Sequence, residues 1–359
     1  MNEATNSYTK IDKEVLYIGP YRQNDEWGKT SRGFLQLLLG SVKNIVSRPL
    51  YYSNNIVELG EIKSEHSYVE EKDIIIQHGL PESLNYEGDF NYNIAITKVD
   101  CRIDNLTWTE NLNLFDKICV FSAYEKQLLR QSGIESDKIF AFDFPPVLHE
   151  PKESISLDIP ELRNKTVFYT TAGKNNDSGL LETIVSYYHS FSSLDNVMLI
   201  IFSDNGEDIK KMIEEIKKQM SPNGSNTYYP EIGIINNDPK AIAYAHQNYD
   251  CYINVSYNLS TNQEILDCLM GKARPIVLDT VMFLDDCFPV QSRDEVCLKN
   301  NRPIPNLYSG LHTWKVPNTV SICNAFKICN KNNFSGSNKF KNTHQQQSFS
   351  SLKELLCIQ

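Results

Sequence analysis

Thr166-Val-Phe-Tyr-Thr-Thr171, the turn residues Gly173-Lys174-Asn175-Asn-Asp-Ser-Gly179, the run Leu180 to Phe191, and Val197-Met-Leu-Ile-Ile-Phe202 decide the fold. The first and last runs are short, apolar and bounded by turn residues, which predicts two buried strands. The run between them carries apolar residues at helical spacing, so strand, helix and strand follow in order. Buried parallel strands need such a crossover, and the pattern is that of an open α/β sheet.

The alternation continues in both directions. Toward the C-terminus come a charged amphipathic helix from Asp208 to Met220 and a strand Ile232-Gly-Ile-Ile235. A helix opened by Asp238-Pro239 follows, with a capping residue and then proline at the first turn. Strand Cys251-Tyr-Ile-Asn-Val255, helix Asn262 to Met270 and strand Pro275-Ile-Val-Leu278 complete the series. Toward the N-terminus, Glu14-Val-Leu-Tyr-Ile18 ends at Gly19-Pro20. A long polar loop through Arg32 then leads to a helix from Gly33. Strands are expected at 72–77, 93–97, 117–122 and 139–142, with a helix from Ala123 stopped by Gly133. Pro145, Pro146, Pro151 and Pro160 break this rhythm, as an interdomain linker does.

The resulting division is a polar leader (1–13), a first Rossmann-like domain (14–150), a linker (151–164), a second Rossmann-like domain (165–330) and a polar tail (331–359). The tail is rich in Asn, Lys, Ser and Gln, so it is expected to be mobile up to a short terminal helix at Ser350 to Leu356.

Composition narrows the function. Lys plus Arg total 35 against 45 Asp plus Glu, a net charge of −10, which argues against a protein built to hold a nucleic-acid backbone. No apolar run approaches the length of a membrane span, and Met1 to Asp12 lacks the apolar stretch of a signal peptide. A cytoplasmic protein with at most peripheral membrane contact is expected. Nine cysteines without a C-x-x-C pair suit reduced core residues better than a disulfide or zinc framework. The seven histidines are scattered and no Asp-x-Asp pair ends a strand, so no metal and no resident cofactor are expected.

Ligands of open parallel sheets bind beyond the carboxyl ends of the strands. The loops to watch are therefore 19–32, 77–82, 171–179, 203–206 and 256–264. Gly28-Lys29-Thr30 mimics the end of a phosphate-binding P-loop, but the position that requires the first glycine holds Gln23.

Three segments of the second half resemble the donor-binding domain of GT-B glycosyltransferases, in particular the large retaining class (family 4-like, group 1). They are Thr166 to Ile184, Asn248-Tyr-Asp-Cys-Tyr-Ile-Asn-Val-Ser256, and Gln263-Glu-Ile-Leu-Asp-Cys-Leu-Met-Gly-Lys-Ala-Arg-Pro-Ile-Val277. In the first half, Gln77-His-Gly-Leu-Pro81 and Asn113 to Ser122 are similar to the acceptor domains of these enzymes. The resemblance implies two Rossmann-like open-sheet domains facing each other. It also implies transfer of a sugar, with retention, from a nucleotide-sugar to a carbohydrate or lipid-linked acceptor.

On that resemblance Glu264 matches the glutamate that holds the ribose. The family's other glutamate, eight positions earlier, is replaced by Ser256, and the arginine preceding the loop lysine is absent. A catalytically inactive sugar- or partner-binding protein is the alternative. The chemistry has its own logic, because a diphosphate leaving group gains negative charge as the sugar departs. Lys174, with Gly173, Asn175 and the amides opening the next helix, would stabilise that charge. Tyr257 and the segment Thr261 to Gln263 would cover the diphosphate. His78 would contact the transferred sugar, and Arg22, Lys29 and Arg32 would meet phosphate or acceptor.

Overall fold

The computed structural model describes residues 10–99, 101–103, 105–142, 155, 157, 159–172, 178–221, 228–257, 263–281, 287–296, 313–331 and 339–356, with the backbone alone from 339 to 346. The chain divides into two compact units.

The first unit is built on β1 (Ile11–Gly19), α1 (Glu26–Ser41), β2 (Val42–Pro49), β3 (Ile74–His78), β4 (Tyr92–Ile96), α2 (Leu106–Leu112), β5 (Lys117–Val120), α3 (Ala123–Gln131) and β6 (Ile139–Ala141). Its six strands are all parallel, in the order β2-β1-β3-β4-β5-β6. The chain leaves β1 to form β2 on one side and then β3 on the other, so the switch point lies between β1 and β3. Gly19 and His78 are the last residues of those two strands.

The second unit contains β7 (Thr166–Thr171), α4 (Leu180–Ser190), β8 (Val197–Phe202), α5 (Gly206–Met220), β9 (Ile232–Ile235), α6 (Pro239–Asn248), β10 (Cys251–Asn254), α7 (Gln263–Met270), β11 (Arg274–Leu278) and β12 (Phe288–Val290). Its parallel order is β12-β11-β10-β7-β8-β9, the doubly wound Rossmann order with its switch point between β7 and β10. A hairpin of β13 (Ser292–Val296) and β14 (Thr313–Pro317) and the helix α8 (Thr319–Lys331) follow.

Local chemistry explains the helix starts. Ser122 and Glu125 cap α3 reciprocally: the Ser122 hydroxyl accepts from the Glu125 amide at 3.0 Å, and the Glu125 carboxylate accepts from the Phe121 amide at 3.0 Å. Asp238 caps α6 ahead of Pro239, as expected from the sequence.

The structure corrects three expectations. First, α1 begins at Glu26 instead of Gly33, so Lys29 and Arg32 are helical residues. Asp25 accepts from the Gly28 amide at 2.8 Å and starts the helix early. Gly28 looked like loop chemistry but is needed for close packing, because a Cβ there would lie 1.9 Å from the Gln23 carbonyl oxygen. The P-loop mimic therefore sits inside a helix.

Second, β2, β12, the hairpin and α8 are additions that weak local patterns did not reveal. Phe326 of α8 packs edge-on against Phe168 of β7 at 4.9 Å.

Third, the supposedly mobile tail contains α9 (Lys339–Leu356). Leu352, Leu355 and Leu356 join the core of the first unit beside Val15, Phe34, Ile76 and Ile94. These leucines belong to the expected terminal helix at Ser350 to Leu356, which the structure extends back to Lys339. Of the proline-rich stretch, the described part includes a 3-10 turn at Pro160–Leu162.

Candidate functional site

At the second unit's switch point, Glu264 lies in the first turn of α7. Its Oε2 accepts from the Thr171 hydroxyl at 2.9 Å and from the Tyr252 hydroxyl. Thr171 ends β7, and Tyr252 belongs to the adjacent β10. The two central strands thus hold one carboxylate at their carboxyl ends. Burial, with the nearby Glu264 charge, raises the Tyr252 phenol well above its ordinary value, so it stays a donor.

The network extends along the rim. Asn254 Nδ2 donates to the Tyr252 hydroxyl at 3.3 Å, and Asn254 Oδ1 accepts from the Ser256 hydroxyl at 2.8 Å. Ser256 therefore presents a neutral, internally bonded hydroxyl where the resemblance would place a carboxylate.

The loop entering α4 ends at Gly179, whose φ of +68° is left-handed. A Cβ there would fall 2.4 Å from the Val255 carbonyl oxygen. The glycine lets this helix start lie directly on the end of β10. It offers no side-chain cap, so the first-turn amides keep the anion-binding character of a helix N-terminus. Gly173, Lys174 and Asn175 lie outside the described residues. Tyr257 donates to Glu182 of the first turn of α4 at 2.6 Å, and its ring meets Trp314 at 5.2 Å.

In the first unit, His78 is 3% exposed. Its Nδ1 lies 2.9 Å from the Tyr17 hydroxyl, which also lies 2.7 Å from Ser31 Oγ. Trp27, Phe34 and Phe121 surround the imidazole with ring centroids at 5.5, 6.5 and 6.2 Å. Burial pushes its pKa down to about 3, so His78 is neutral at working pH.

The basic candidates are tied into the protein. Arg22 forks onto Glu65 at 2.7 and 2.8 Å, which holds that carboxyl below the usual range. Arg32 is buried and donates to the carbonyls of Tyr21 and Gln23 at 3.0 and 2.8 Å. Lys29 pairs with Glu26 at 2.6 Å.

Within the second unit the structure gathers Glu264 with Thr171, Tyr252, Asn254 and Ser256; within the first it gathers His78 with Tyr17, Ser31 and Trp27. Residue type and local pattern alone do not mark Thr171, Tyr252, Tyr17, Ser31 and Trp27 as site residues. An aromatic within a buried strand reads as core, and its hydroxyl partner is invisible until the strands pair. Among the described residues, no group of three or more His, Cys, Asp or Glu side chains is placed to hold a metal, and no helix is long and apolar enough to cross a membrane.

No protein-family model matches the chain, and no curated protein sequence matches it. Solved structures do. A trehalose-6-phosphate synthase, OtsA, aligns with a TM-score of 0.52 at 9% identity, over 95% of this chain and 96% of that one. A trehalose-6-phosphate synthase studied with bisubstrate glycomimetics, for glycosyl transfer with retention, aligns with a TM-score of 0.51 at 12% identity, again over 95% and 96%. Strand orders, switch points and this full-length correspondence agree: the chain has the α/β GT-B fold of two Rossmann-like domains.

Proposed function

We propose that the protein is a glycosyltransferase that moves a sugar from a nucleotide-sugar donor, with retention, to a carbohydrate or lipid-linked acceptor. The observation that carries this reading is the Glu264 carboxylate held at the β7/β10 switch point by Thr171 and Tyr252. A carboxylate fixed there suits the two ribose hydroxyls of a nucleotide, which donate to it in a water-poor crevice. The uncapped start of α4 supplies amides and dipole for the diphosphate. Lys174, five positions before Gly179 in the sequence, would supply the cation that meets the charge growing on the leaving group.

His78, neutral and rigidly held, would donate or accept a hydrogen bond to a sugar hydroxyl, with no proton transfer of its own. Charge neutralisation by Lys174 and amides needs no metal ion, so turnover should survive EDTA; loss on chelation with recovery on adding manganese would refute that part.

The direct test is thermal shift of the full chain against UDP-, GDP- and ADP-sugars. A ligand that binds only the folded state raises the melting temperature by mass action, and the matching donor should do so alone. No shift with any of them would refute the donor assignment. Ser256, neutral where the family resemblance expects an acid, favours a second reading: a donor-binding protein without turnover. Donor hydrolysis measured beside donor binding separates the two.

A further inference from the structure

We propose that the second unit carries, at the outer edge of its sheet, a binding site for a neutral, planar, fused-ring aromatic molecule whose hydrogen-bond acceptor meets the Tyr188 hydroxyl. The site lies away from the β7/β10 switch point and stands independently of the transferase reading.

Its place follows from the topology. β9 is the edge strand, and β8 separates it from β7. The helices α4 and α5 are the crossovers that lead into β8 and β9. Between Tyr188 of α4, the helix α5 and the segment Tyr229 to Ile234 lies a cavity of about 460 Å³. A benzene-sized ring occupies a cavity of roughly 150 Å³, so two fused rings fit with room for a substituent.

The first observation is an unmet donor. Tyr188 is only 7% exposed, yet among the described residues its hydroxyl has no hydrogen-bond partner. Nor is that hydroxyl sealed from the surroundings, as the Tyr249 hydroxyl is. Its neighbour on the same helix is satisfied, because Tyr187 donates to the Glu231 carbonyl at 3.1 Å. Burial, the Glu214 carboxylate and the Tyr229 phenol raise the Tyr188 pKa above its ordinary value, so it remains a donor. Glu214 and Tyr229 both line the cavity. A phenol so deeply buried costs free energy until an acceptor reaches it.

The second observation is the wall around that donor. The Tyr188 and Tyr229 rings lie 4.6 Å apart at 45°, and the Tyr229 hydroxyl is fixed 2.6 Å from Ser221 Oγ. Ile213, Pro230, Ile232 and Ile234 supply the rest of the uncharged lining. Held aromatic rings and branched apolar side chains suit a flat aromatic body. A pyranose would bring several hydroxyls to a wall with one free donor, and burying the unmatched ones is costly.

The third observation is charge. The lining carries Lys210, Lys217, Glu214 and Glu231, so its charges balance. Each is also paired: Lys210 with Glu207 at 2.7 Å, Lys217 with Glu214 at 3.0 Å, and Glu231 with Lys165. Neither an anion nor a cation finds a net counter-charge there, whereas a neutral molecule needs none.

The test is a titration of the full chain at pH 8, followed by the δ1-methyl resonances of its isoleucines. The probes are quinoline, which carries one acceptor nitrogen, naphthalene, which has none, 2-naphthoate and methyl α-glucoside. Quinoline should shift Ile232 and Ile234 and leave Ile76 and Ile94 of the first unit in place. It should bind more tightly than 2-naphthoate or the glucoside. Tyr188→Phe keeps the ring and removes the donor, so it should weaken quinoline about tenfold and naphthalene less than about twofold. If that variant fails to fold, the wild-type methyl shifts and the order of affinities carry the test. The inference is overturned if quinoline does not bind, if it shifts methyls elsewhere, or if the anion or the sugar binds more tightly. Unchanged quinoline affinity in Tyr188→Phe, or equal loss of quinoline and naphthalene, overturns it as well.

Discussion

His78 should make the first unit acid-labile. Its folded pKa of about 3 lies far below the ordinary value near 6.5, because burial penalises the imidazolium. The unfolded chain binds the proton and the folded chain does not. The stability this group contributes is therefore complete above about pH 6.5 and is lost as pH falls toward 3. Each pH unit in that window costs the folded state about 1.4 kcal/mol, so roughly 2 kcal/mol is gone by pH 5. The perturbation is His78→Asn, whose side-chain oxygen can still accept from Tyr17. At pH 8 the variant should be less stable by about 1–3 kcal/mol, because it leaves part of the aromatic box unfilled. That deficit should shrink by roughly 2 kcal/mol between pH 7 and pH 5, since the other histidines titrate alike in both proteins. Native-state hydrogen exchange of the β3 amides, corrected for intrinsic rates, reads the first unit without the second. A deficit that stays constant within about 0.5 kcal/mol across this range would show that His78 is protonated in the folded state, and the argument from burial would fail.

Other perturbations test the remaining parts. Lys174→Ala should lower kcat more than it raises KM, by about 2–4 kcal/mol of transition-state stabilisation, whereas Glu264→Gln should mainly raise the donor KM, by about 1–2 kcal/mol. Steady-state kinetics with the donor found by thermal shift checks both, and parent-like constants in both variants would move the donor site elsewhere. Gly179→Ala should destabilise the second unit by about 2–4 kcal/mol, because it combines a positive φ with a Cβ 2.4 Å from Val255 O; an unchanged urea midpoint would contradict the close approach. Glu65→Gln should cost about 1–2 kcal/mol at pH 7 by breaking the Arg22 fork. Arg22 lowers the Glu65 pKa, so this stabilisation is present above the ordinary glutamate range, near pH 4.3, and fades as pH falls through it. A gap to wild type that persists at pH 3 would be inconsistent with the ion pair as its cause.

Much of the fold was legible because buried parallel strands announce themselves as short apolar runs. Thr166 to Thr171, Val197 to Phe202 and Cys251 to Asn254 all paired within one sheet, and Asp238-Pro239 opened its helix. The failures share a cause. Val42 to Pro49 alternates polar and apolar residues too weakly to stand out, and α9 runs on from the expected Ser350 to Leu356 helix back to Lys339, with Leu352, Leu355 and Leu356 packed on a core more than 200 positions earlier in the chain. Local pattern does not carry either fact. Glu264 was singled out by the family resemblance, since a glutamate in the first turn of a helix is ordinary on its own, whereas the residues that bond it, Thr171 and Tyr252, look like strand filler until β7 and β10 lie side by side. Arg22 and Arg32 show the converse. Residue type suggested free cations, and only the tertiary structure places Glu65 and the Tyr21 and Gln23 carbonyls against them.

A comparison within the chain shows that position, more than residue type, separates a candidate site from a core contact. Each unit carries, on its first strand, a buried tyrosine bonded to a histidine Nδ1: Tyr17 to His78 at 2.9 Å and Tyr169 to His246 at 2.8 Å. The chemistry of the two pairs is alike, and both histidines are buried. His78, however, is the last residue of the strand across the switch point, so its remaining nitrogen lies where an open sheet receives ligands. His246 sits in the last turn of α6, and its own carbonyl accepts from the amides of Lys272 and Ala273 at 2.8 and 3.0 Å. That pair joins helix to sheet and to the turn before β11. The same two side chains thus join helix to sheet in one unit and stand at the carboxyl-end rim of the strands in the other, because the topology has set one of them at a strand end.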